Sequence, residues 1–156
     1  MRRRDKDIPS RGEIDAIIRG CQVCHLALAV ENEAYIVPVS FGYDGASLFF
    51  HTAESGKKIE FLEVNNRVCF EFDRNVRLQA DPKTSCKWTF LYESVIGYGT
   101  VSELTELAEK TRGLDQVMLH YSGTQWEFNA SVLAKTRVWQ ILIDSLTGKR
   151  AEEKAT

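Results

Sequence analysis

Alternating hydrophobic and polar positions run through most of the chain and predict that it folds mainly into β-strands. The predicted strands are residues 23–30, 35–43, 46–53, 67–72, 91–103 and 136–143. The dipeptide Asp44-Gly45, between the second and the third strand, is a strong signal for a two-residue hairpin. Residues 73–87 are polar and rich in turn-forming residues, so we expect a mobile or partly strand-like connection there.

Apolar residues at helical spacing interrupt the strand pattern in a few places. The predicted helices are one that ends at Gly20, a short one at 57–64, a long one at 105–121 and a single turn at 127–133. Ser10 is predicted to cap the first helix, with Glu13 at the capping-box position. Six strands and few helices favour a small β-barrel with appended helices.

The composition is that of an ordinary globular protein of one domain. The 156 residues are 44% hydrophobic and 27% charged, and 20 Lys and Arg against 22 Asp and Glu give a net charge of −2. This balance argues against a nucleic-acid-binding module, which usually carries a basic surface. No apolar run approaches the roughly 20 residues that span a bilayer. Residues 1–13 are basic and no apolar segment follows them, so we expect a cytoplasmic protein without a secretory signal. One domain is predicted over residues 1–149, with a disordered tail at 150–156.

The cysteines raise the question of a haem or a metal site. Cys21, Cys24 and His25 fit the C-x-x-C-H pattern of covalent c-type haem attachment, which needs two thiols and an axial histidine. The segment that follows His25 has the pattern of a buried strand, and haem attachment of this kind normally takes place after export. A closed zinc site needs four ligands, and Cys69 and Cys86 do not form a second close pair. We therefore expect small buried side chains here, and no metal site.

The turn before the short helix carries the most informative chemistry. A strand ends there, and the helix begins with Lys57 and Lys58, with Ser55 placed to cap it. Positive charge at a helix N-terminus opposes the helix dipole and costs roughly 0.3–1 kcal/mol per exposed residue. A bound anion would reverse that cost, because backbone N–H groups, a hydroxyl and two ammonium groups together form a phosphate site. The alternative is that both lysines are solvated, with Glu54 or Glu60 as weak partners.

Pro38 and His51 are two further candidates for a ligand site. Pro38 stands in the middle of a predicted strand, and proline cannot donate a hydrogen bond to a sheet. Its strand is therefore an edge strand, or its backbone faces a planar heterocycle instead of a neighbouring strand. His51 lies where a strand meets the turn, and an imidazole can donate a proton to a substrate or bond a cofactor. The alternative for His51 is a solvated histidine at a strand end.

Several segments, in this order along the chain, resemble a known family. The chain resembles the pyridoxamine 5′-phosphate oxidase-like FMN-binding split barrels in the strings MRRRDKDI, PVSFGYDG, LFFHTAESGKK, NRVCFEFD and YESVIGYGTVSE. Within that family it is most similar to the branch of 5-nitroimidazole resistance (Nim-type) proteins. The resemblance extends up to Lys149, and its most specific parts are the His-Thr-Ala-x-x-Gly-Lys-Lys segment and the Tyr-x-Ser-Val strand.

The resemblance implies a mainly β fold, a six-stranded split β-barrel of Greek-key type, and a homodimer with a flavin in each of two clefts between the subunits. Lys57 and Lys58, with Ser55 nearby, would hold the flavin phosphate. The residues implied to line the isoalloxazine ring are Pro38, Val39, Ser40, Phe50, His51 and Thr52. Those implied to come from the partner subunit or from the cleft wall are Tyr92, Ser94 and Val95. The chain has Lys-Lys where the family usually has Arg-Lys, which loses the bidentate fork of arginine.

The function that the resemblance implies is that of a flavin-dependent oxidoreductase. A bound FMN, with FAD also open, would accept hydride from a nicotinamide donor and pass electrons to a small acceptor, a nitroaromatic in the Nim-type case. His51 would be the catalytic proton donor. The chain has no G-x-G-x-x-G motif after a strand, so the nicotinamide would bind transiently. The arginine-rich substrate segment of the pyridoxamine phosphate oxidases is also missing, which argues against oxidation of pyridoxine phosphate. The alternative is a split barrel that binds flavin or haem without catalysis.

Overall fold

The computed structural model describes residues 4–153, in which one antiparallel sheet is surrounded by helices. The strands in these residues are β1 (Asp7–Ile8), β2 (Cys24–Val30), β3 (Glu33–Val39), β4 (Gly42–Tyr43), β5 (Ser47–Thr52), β6 (Arg67–Gln79), β7 (Thr89–Leu104) and β8 (Arg137–Ala151). The α-helices are α1 (Arg11–Gly20), α2 (Lys57–Val64), α3 (Leu107–Ser122) and α4 (Ala130–Lys135). None of these helices is long and apolar enough to cross a membrane.

The order of the strands shows that the sheet curls into a barrel. Neighbouring strands follow the order β3-β2-β6-β7-β8-β5-β4, and β1 pairs with β8. The two edge strands, β3 and β4, are consecutive in the chain and are separated only by Ser40 and Phe41. Three Cα–Cα steps span at most about 11 Å, so the two edges lie close together although no ladder of the described residues joins them. The barrel is therefore split between β3 and β4.

Two apolar clusters hold the helices to the sheet. Phe50, Phe70 and Phe72 belong to the larger cluster inside the barrel, together with Ile17 and Ile18 of α1. The smaller cluster lies under α3 and α4, and its buried members are Phe49, Leu104, Leu114, Val117, Leu133 and Val138. Successive side chains of a strand point to opposite faces, so β5 is buried on both faces, with Phe50 in one cluster and its neighbour in the other.

This architecture confirms the predicted fold class, mainly β with appended helices, and corrects the number of strands. The six predicted strands correspond to the six long ones, and the described residues add the two-residue strands β1 and β4. The predicted strand 35–43 is broken at Ser40 and Phe41, where the chain passes from one edge of the sheet to the other. The predicted hairpin joins β4 to β5 through residues 44–46. Within it, Oδ1 of Asp44 accepts the backbone N–H groups of Ala46 and Ser47.

Strands β6 and β8 are much longer than predicted. β6 continues to Gln79 through the first half of the predicted connection, and its ladder with β7 continues there after a bulge. β8 continues to Ala151 instead of ending at residue 143. Arg150 falls in the tail predicted to be disordered, yet it lies in β8 and is paired with Glu93 at 2.8 Å. The end of that tail, residues 154–156, lies outside the described residues. Ladder bonds and ion pairs to distant strands order these polar segments, and the local pattern does not show such partners.

The first two helices begin differently, and the difference affects the candidate site. Ser10 caps α1 as predicted, since its Oγ accepts the backbone N–H of Glu13 at 3.4 Å. Helix α2 has the predicted bounds, but the prediction that Ser55 caps it is wrong. The N-cap residue is Gly56, and no side chain accepts a hydrogen bond from the first turn. Helix α2 therefore begins without the side-chain cap that α1 has.

Candidate functional site

The turn between β5 and α2 opens onto free space at the start of the helix. Gly56 has a φ of 135°, a conformation that favours glycine. A Cβ atom at this position would meet no atom within 4 Å. The N–H of Ile59 donates to the carbonyl of Gly56 at 2.9 Å. The N–H groups of Lys57 and Lys58 have no partner within the helix, and no side chain caps them. The start of α2 therefore offers backbone donors beside open space.

Lys57, the first residue of α2, is already paired with a carboxylate. Its Nζ donates to Oε1 of Glu33 at 2.5 Å and lies 5.2 Å from the centre of the Tyr35 ring. The hydrogen bond to Glu33 is the main cause that raises the pKa of Lys57. The main partner is thus on β3, and Glu60 acts only as the weak partner that the sequence suggested, through a smaller electrostatic effect that also raises the pKa of Lys57.

Lys58, the second residue of α2, has no such partner. Its side chain is half-buried, and its Nζ lies 6.0 Å from the centre of the Phe50 ring. Burial lowers the pKa of Lys58, because it penalises the charged form. No carboxylate of the described residues lies within ion-pair distance of it. Lys58 is therefore a half-buried cation that no carboxylate of residues 4–153 neutralises.

His51 lies next to this cation. It is the fifth residue of β5 and is opposite Val138 in the ladder with β8. The residue is exposed, as the alternative of a solvated histidine expects, yet partial burial of its ring first and the charge of Lys58 second lower the pKa of His51. Both causes favour the neutral imidazole, in which one nitrogen donates and the other accepts.

Three of the predicted ring-lining residues point into the protein. Val39 is 7% exposed, Phe50 1% and Thr52 8%. The Oγ1 atom of Thr52 accepts the indole N–H of Trp139 at 3.0 Å and donates to the carbonyl of Ala53. These side chains are committed to the core, so only their backbone groups are left for a ligand.

The remaining ring-lining residues lie along the split of the barrel. Pro38 and Ser40 are exposed, and β3 is an edge strand, as one of the two interpretations of Pro38 required. β4 pairs with β5 only opposite Leu48 and Phe49. The edge of β5 beyond Phe49 therefore has no ladder partner on that side among the described residues. Two free strand edges thus border the split, close to His51.

The residues implied to come from the partner subunit or from the cleft wall are Tyr92, Ser94 and Val95. They lie beside the opposite end of β8 from the residues that pair with β5. Ser94 is opposite Lys149 in β8, whereas Phe50 is opposite Trp139. Ten residues of a strand span about 30 Å, so one chain does not bring this group to Lys58. Val95 is also fully buried, so its side chain faces the core.

Surface grooves do not coincide with the start of α2. A groove of about 1040 Å³ lies between residues 5–9, the β6–β7 connection and the ends of β7 and β8. A smaller one of about 510 Å³ lies beside α3 and residues 125–128. Neither groove includes a residue of β5 or of the first turn of α2. Both grooves therefore lie away from the candidate site at the start of α2.

The C-x-x-C-H motif does not present its thiols to a ligand. Cys21 is 5% exposed and Cys24 1% exposed. Burial raises the pKa of the Cys21 thiol to about 11 and also raises that of Cys24. His25 points to the other face of β2 and lies 3.3 Å from Glu71. This arrangement opposes covalent haem attachment and agrees with the expectation of small buried side chains.

Sequence reasoning missed two groups of charged residues. One is Glu33 as the partner of Lys57, and the other is the set of His25, Glu71 and Asp73, whose ligand atoms lie within 4.8 Å of one another. The two-residue period of a strand could have placed the two carboxylates on one face of β6. The position of His25 beside them depends on the pairing of β2 with β6, which no local pattern shows.

Comparison with known proteins places this fold in a family. The family described as pyridoxamine 5′-phosphate oxidase matches residues 10–150 of the chain. No curated protein matches the chain.

Among solved structures, a candidate 5-nitroimidazole antibiotic resistance protein from Bacteroides thetaiotaomicron is 30% identical, with a TM-score of 0.81 over 94% of this chain and 90% of that one. An FAD-binding protein from Mesorhizobium loti is 26% identical, with a TM-score of 0.66 over 92% of this chain and 96% of that one. An FAD and haem binding protein from Mycobacterium smegmatis is similar in fold alone. It is 18% identical, with a TM-score of 0.85 over 97% of this chain and 76% of that one.

Proposed function

This chain belongs to the pyridoxamine 5′-phosphate oxidase family, and we propose that it binds the flavin nucleotide FMN at the start of α2. With the flavin bound, the protein acts as an oxidoreductase that passes electrons from a nicotinamide donor to a small acceptor of the nitroaromatic class. One observation carries the proposal: Lys58 is a half-buried cation, without a carboxylate partner among the described residues, at an uncapped helix N-terminus.

The start of α2 fits the phosphate group of a flavin nucleotide. Phosphate oxygens would accept hydrogen bonds from Lys58 and from the uncapped N–H groups of the first turn. The exposed hydroxyl of Ser55 caps nothing and is available as a further donor. Lys57 contributes a second charge, because its pair with Glu33 is exposed and can be exchanged for phosphate.

The split of the barrel fits the planar ring. The free edges of β3 and β5, around Pro38, Ser40 and residues 50–52, offer backbone donors and acceptors to a heterocycle. When bound, the flavin supplies hydride acceptance and electron transfer, and the protein binds and orients it. A phosphate beside Lys58 would remove part of the charge that lowers the pKa of His51. His51 is then able to hold a proton for a reduced acceptor.

The separation of the two predicted groups supports a homodimer. Tyr92 and Ser94 lie about 30 Å along β8 from the residues opposite β5, so a second copy has to supply them if they line the same cleft. The outer face of the sheet also carries exposed apolar side chains. They are Ile36, Ile96, Tyr98 and Leu142. A second copy that covers this face would close the open surface around Lys58 into a cleft.

Several outcomes of one measurement distinguish the candidate ligands. Mass spectrometry of the small molecule released on denaturation separates FMN from FAD, which the similar protein from Mesorhizobium loti binds. We expect FMN, one per chain, and bleaching of its absorption by NADH or NADPH without oxygen. A bound flavin that no nicotinamide donor reduces would instead support the non-catalytic alternative. A protein that binds neither FMN nor FAD would contradict the proposal.

The two lysines provide a matched pair of variants. Lys58→Ala should weaken FMN binding by about 10- to 100-fold, since hydrogen bonds to charged groups contribute about 1.5–3 kcal/mol. Lys57→Ala should weaken it less, because Lys57 gives up its pair with Glu33 when it binds phosphate. Lys83→Ala, an exposed lysine of the β6–β7 connection, serves as the control. Equal FMN affinity in the Lys58 variant and in the native protein would remove this residue from the site.

A further inference from the structure

We propose that the outer face of the sheet carries a site for a divalent transition-metal ion, formed by His25, Glu71 and Asp73. The pairing of β2 with β6 places His25 directly opposite Glu71. Asp73 is two residues further along β6 and therefore lies on the same face. The site uses none of the residues proposed to bind flavin, although two of them are its neighbours in the sheet: Pro38 is opposite His25, and Ser94 is opposite Asp73.

The distances within this cluster fit a single ion. Nδ1 of His25 lies 3.3 Å from Oε2 of Glu71. The ligand atoms of all three residues lie within 4.8 Å of one another. Zinc binds nitrogen and oxygen at about 2.0–2.2 Å, so two ligands of a tetrahedral ion lie roughly 3.3–3.5 Å apart. The separation of His25 and Glu71 thus already matches that of two ligands of one ion, and no pair in the cluster is more than 4.8 Å apart.

The charge of the cluster is not balanced by a basic side chain. Among the described residues, no lysine or arginine forms an ion pair with Glu71 or Asp73. Two carboxylates that repel each other are thus held beside an imidazole, and a divalent cation would convert that repulsion into attraction.

The set of donor atoms indicates the class of metal. One imidazole nitrogen with two carboxylate oxygens suits zinc, iron(II) or manganese rather than a metal that prefers thiolates. Cys21 and Cys24 are not ligands, since both thiols are buried. Three protein ligands leave at least one position for water or another ligand. His25 is therefore the member of the C-x-x-C-H motif that has a binding role.

The position of the site gives a second reason for a cation. In the outer face of the sheet, His25 and Glu71 stand in one row between Pro38 and Ile96. A second copy docked on this face would take both carboxylates out of water, which is costly unless their charge is compensated. This second argument alone rests on the proposed dimer. The geometry and charge of the cluster stand without it.

Titration of the full-length protein, freed of metal by a chelator, tests the proposal. We expect calorimetry with Zn²⁺ to show one ion per chain, and Co²⁺ to give visible absorption bands on binding. His25→Ala, Glu71→Gln and Asp73→Asn should each weaken binding at least about tenfold. Loss of a residue that only orients a metal ligand already weakens metal binding by about that factor, and loss of a ligand itself should cost no less. Glu109→Gln, an exposed carboxylate on α3, should bind as the native protein does.

Other outcomes would overturn the site. Native protein that binds neither ion, or variants of the three ligands that all bind unchanged, would show that the cluster is not a metal site. Weaker binding in Cys21→Ser or Cys24→Ser would assign the ion to the thiols instead. Asp73 is exposed, so Asp73→Asn gives a result even if another variant fails to fold. The flavin content of each sample is measured separately, so loss of metal and loss of flavin are distinguished.

Discussion

The two ends of the barrel differ in how the charge of a partly buried side chain is compensated. At the far end, Glu93 is 12% exposed and accepts hydrogen bonds from Arg74 at 2.7 Å and from Arg150 at 2.9 Å. At the end near α2, Lys58 is half-buried and has no carboxylate partner among the described residues. Burying a charge is costly unless it is paired. The charge at the far end is thus compensated by ion pairs of the chain itself, whereas at the near end a bound phosphate would supply the missing negative charge if the proposed function holds.

The pKa values of the two groups show the same contrast. Burial opposes the ionisation of Glu93, but hydrogen bonds from Arg74 and Arg150 prevail and lower its pKa. The pKa of Lys58 is also lowered, with burial as the cause. For an acid, a lowered pKa means that the charged form is stabilised, whereas for a base it means that the charged form is destabilised. The same direction of shift therefore marks a structural ion pair at one end and a candidate ligand site at the other.

Removal of Glu93 should have the largest effect on stability. Glu93→Ala leaves Arg74 and Arg150 partly buried without their shared carboxylate. Loss of one member of a buried ion pair costs about 3–5 kcal/mol. We expect the lower end of this range at most, because both arginines are partly solvated and Arg150 keeps its pairs with Glu13 and Glu152. Chemical denaturation of the flavin-free protein measures the change in the free energy of unfolding.

An exposed ion pair provides the control for that measurement. Asp144 pairs with Arg67, and both side chains are largely exposed. Asp144→Ala should reduce the free energy of unfolding by less than about 1 kcal/mol. Equal effects of the two substitutions would contradict the distinction between a buried network at the far end and surface charge elsewhere.

The dependence of stability on pH should show a smaller effect of the same network. The folded-state pKa of Glu93 is below its ordinary value of 4.5. The stability that its charge contributes is therefore complete above pH 4.5 and is lost as the pH falls through the folded-state value. The difference in unfolding free energy between the native protein and Glu93→Gln should shrink below pH 4.5. A difference that is constant down to acid pH would show that Glu93 does not act through its charge.

Most of the fold could be predicted from the sequence, because the six long strands and α2 have clear local periodicity. What could not be predicted depends on pairing between distant segments. Residues 73–79 are polar and look like a loop, but the ladder with β7 makes them a strand. The end of β8 is ordered in the same way, by its ladder with β7 and by the ion pair between Arg150 and Glu93.

The candidate site could be predicted only in part. The resemblance pointed to Lys57 and Lys58 as an equivalent pair, and the structure separates them. Glu33 comes from a different strand, so no sequence spacing shows that it neutralises Lys57. The side chains of Phe50 and Thr52 point into the core, as alternation around His51 would have indicated. Alternation is local, while charge balance depends on tertiary contacts.

Neutral replacements of Lys57 and Lys58 should give the smallest changes in the free energy of unfolding, and the two changes should differ in sign. Lys58→Met removes a half-buried charge that has no carboxylate partner in residues 4–153, and should raise the unfolding free energy of the flavin-free protein by up to about 1 kcal/mol. Lys57→Met removes an exposed pair with Glu33 and should leave stability unchanged or slightly lower. With FMN bound, the order should reverse, because Lys58→Met then loses the phosphate contact. Parallel denaturation curves with and without FMN measure both effects. Destabilisation by Lys58→Met in the absence of flavin would mean that the chain already compensates this charge.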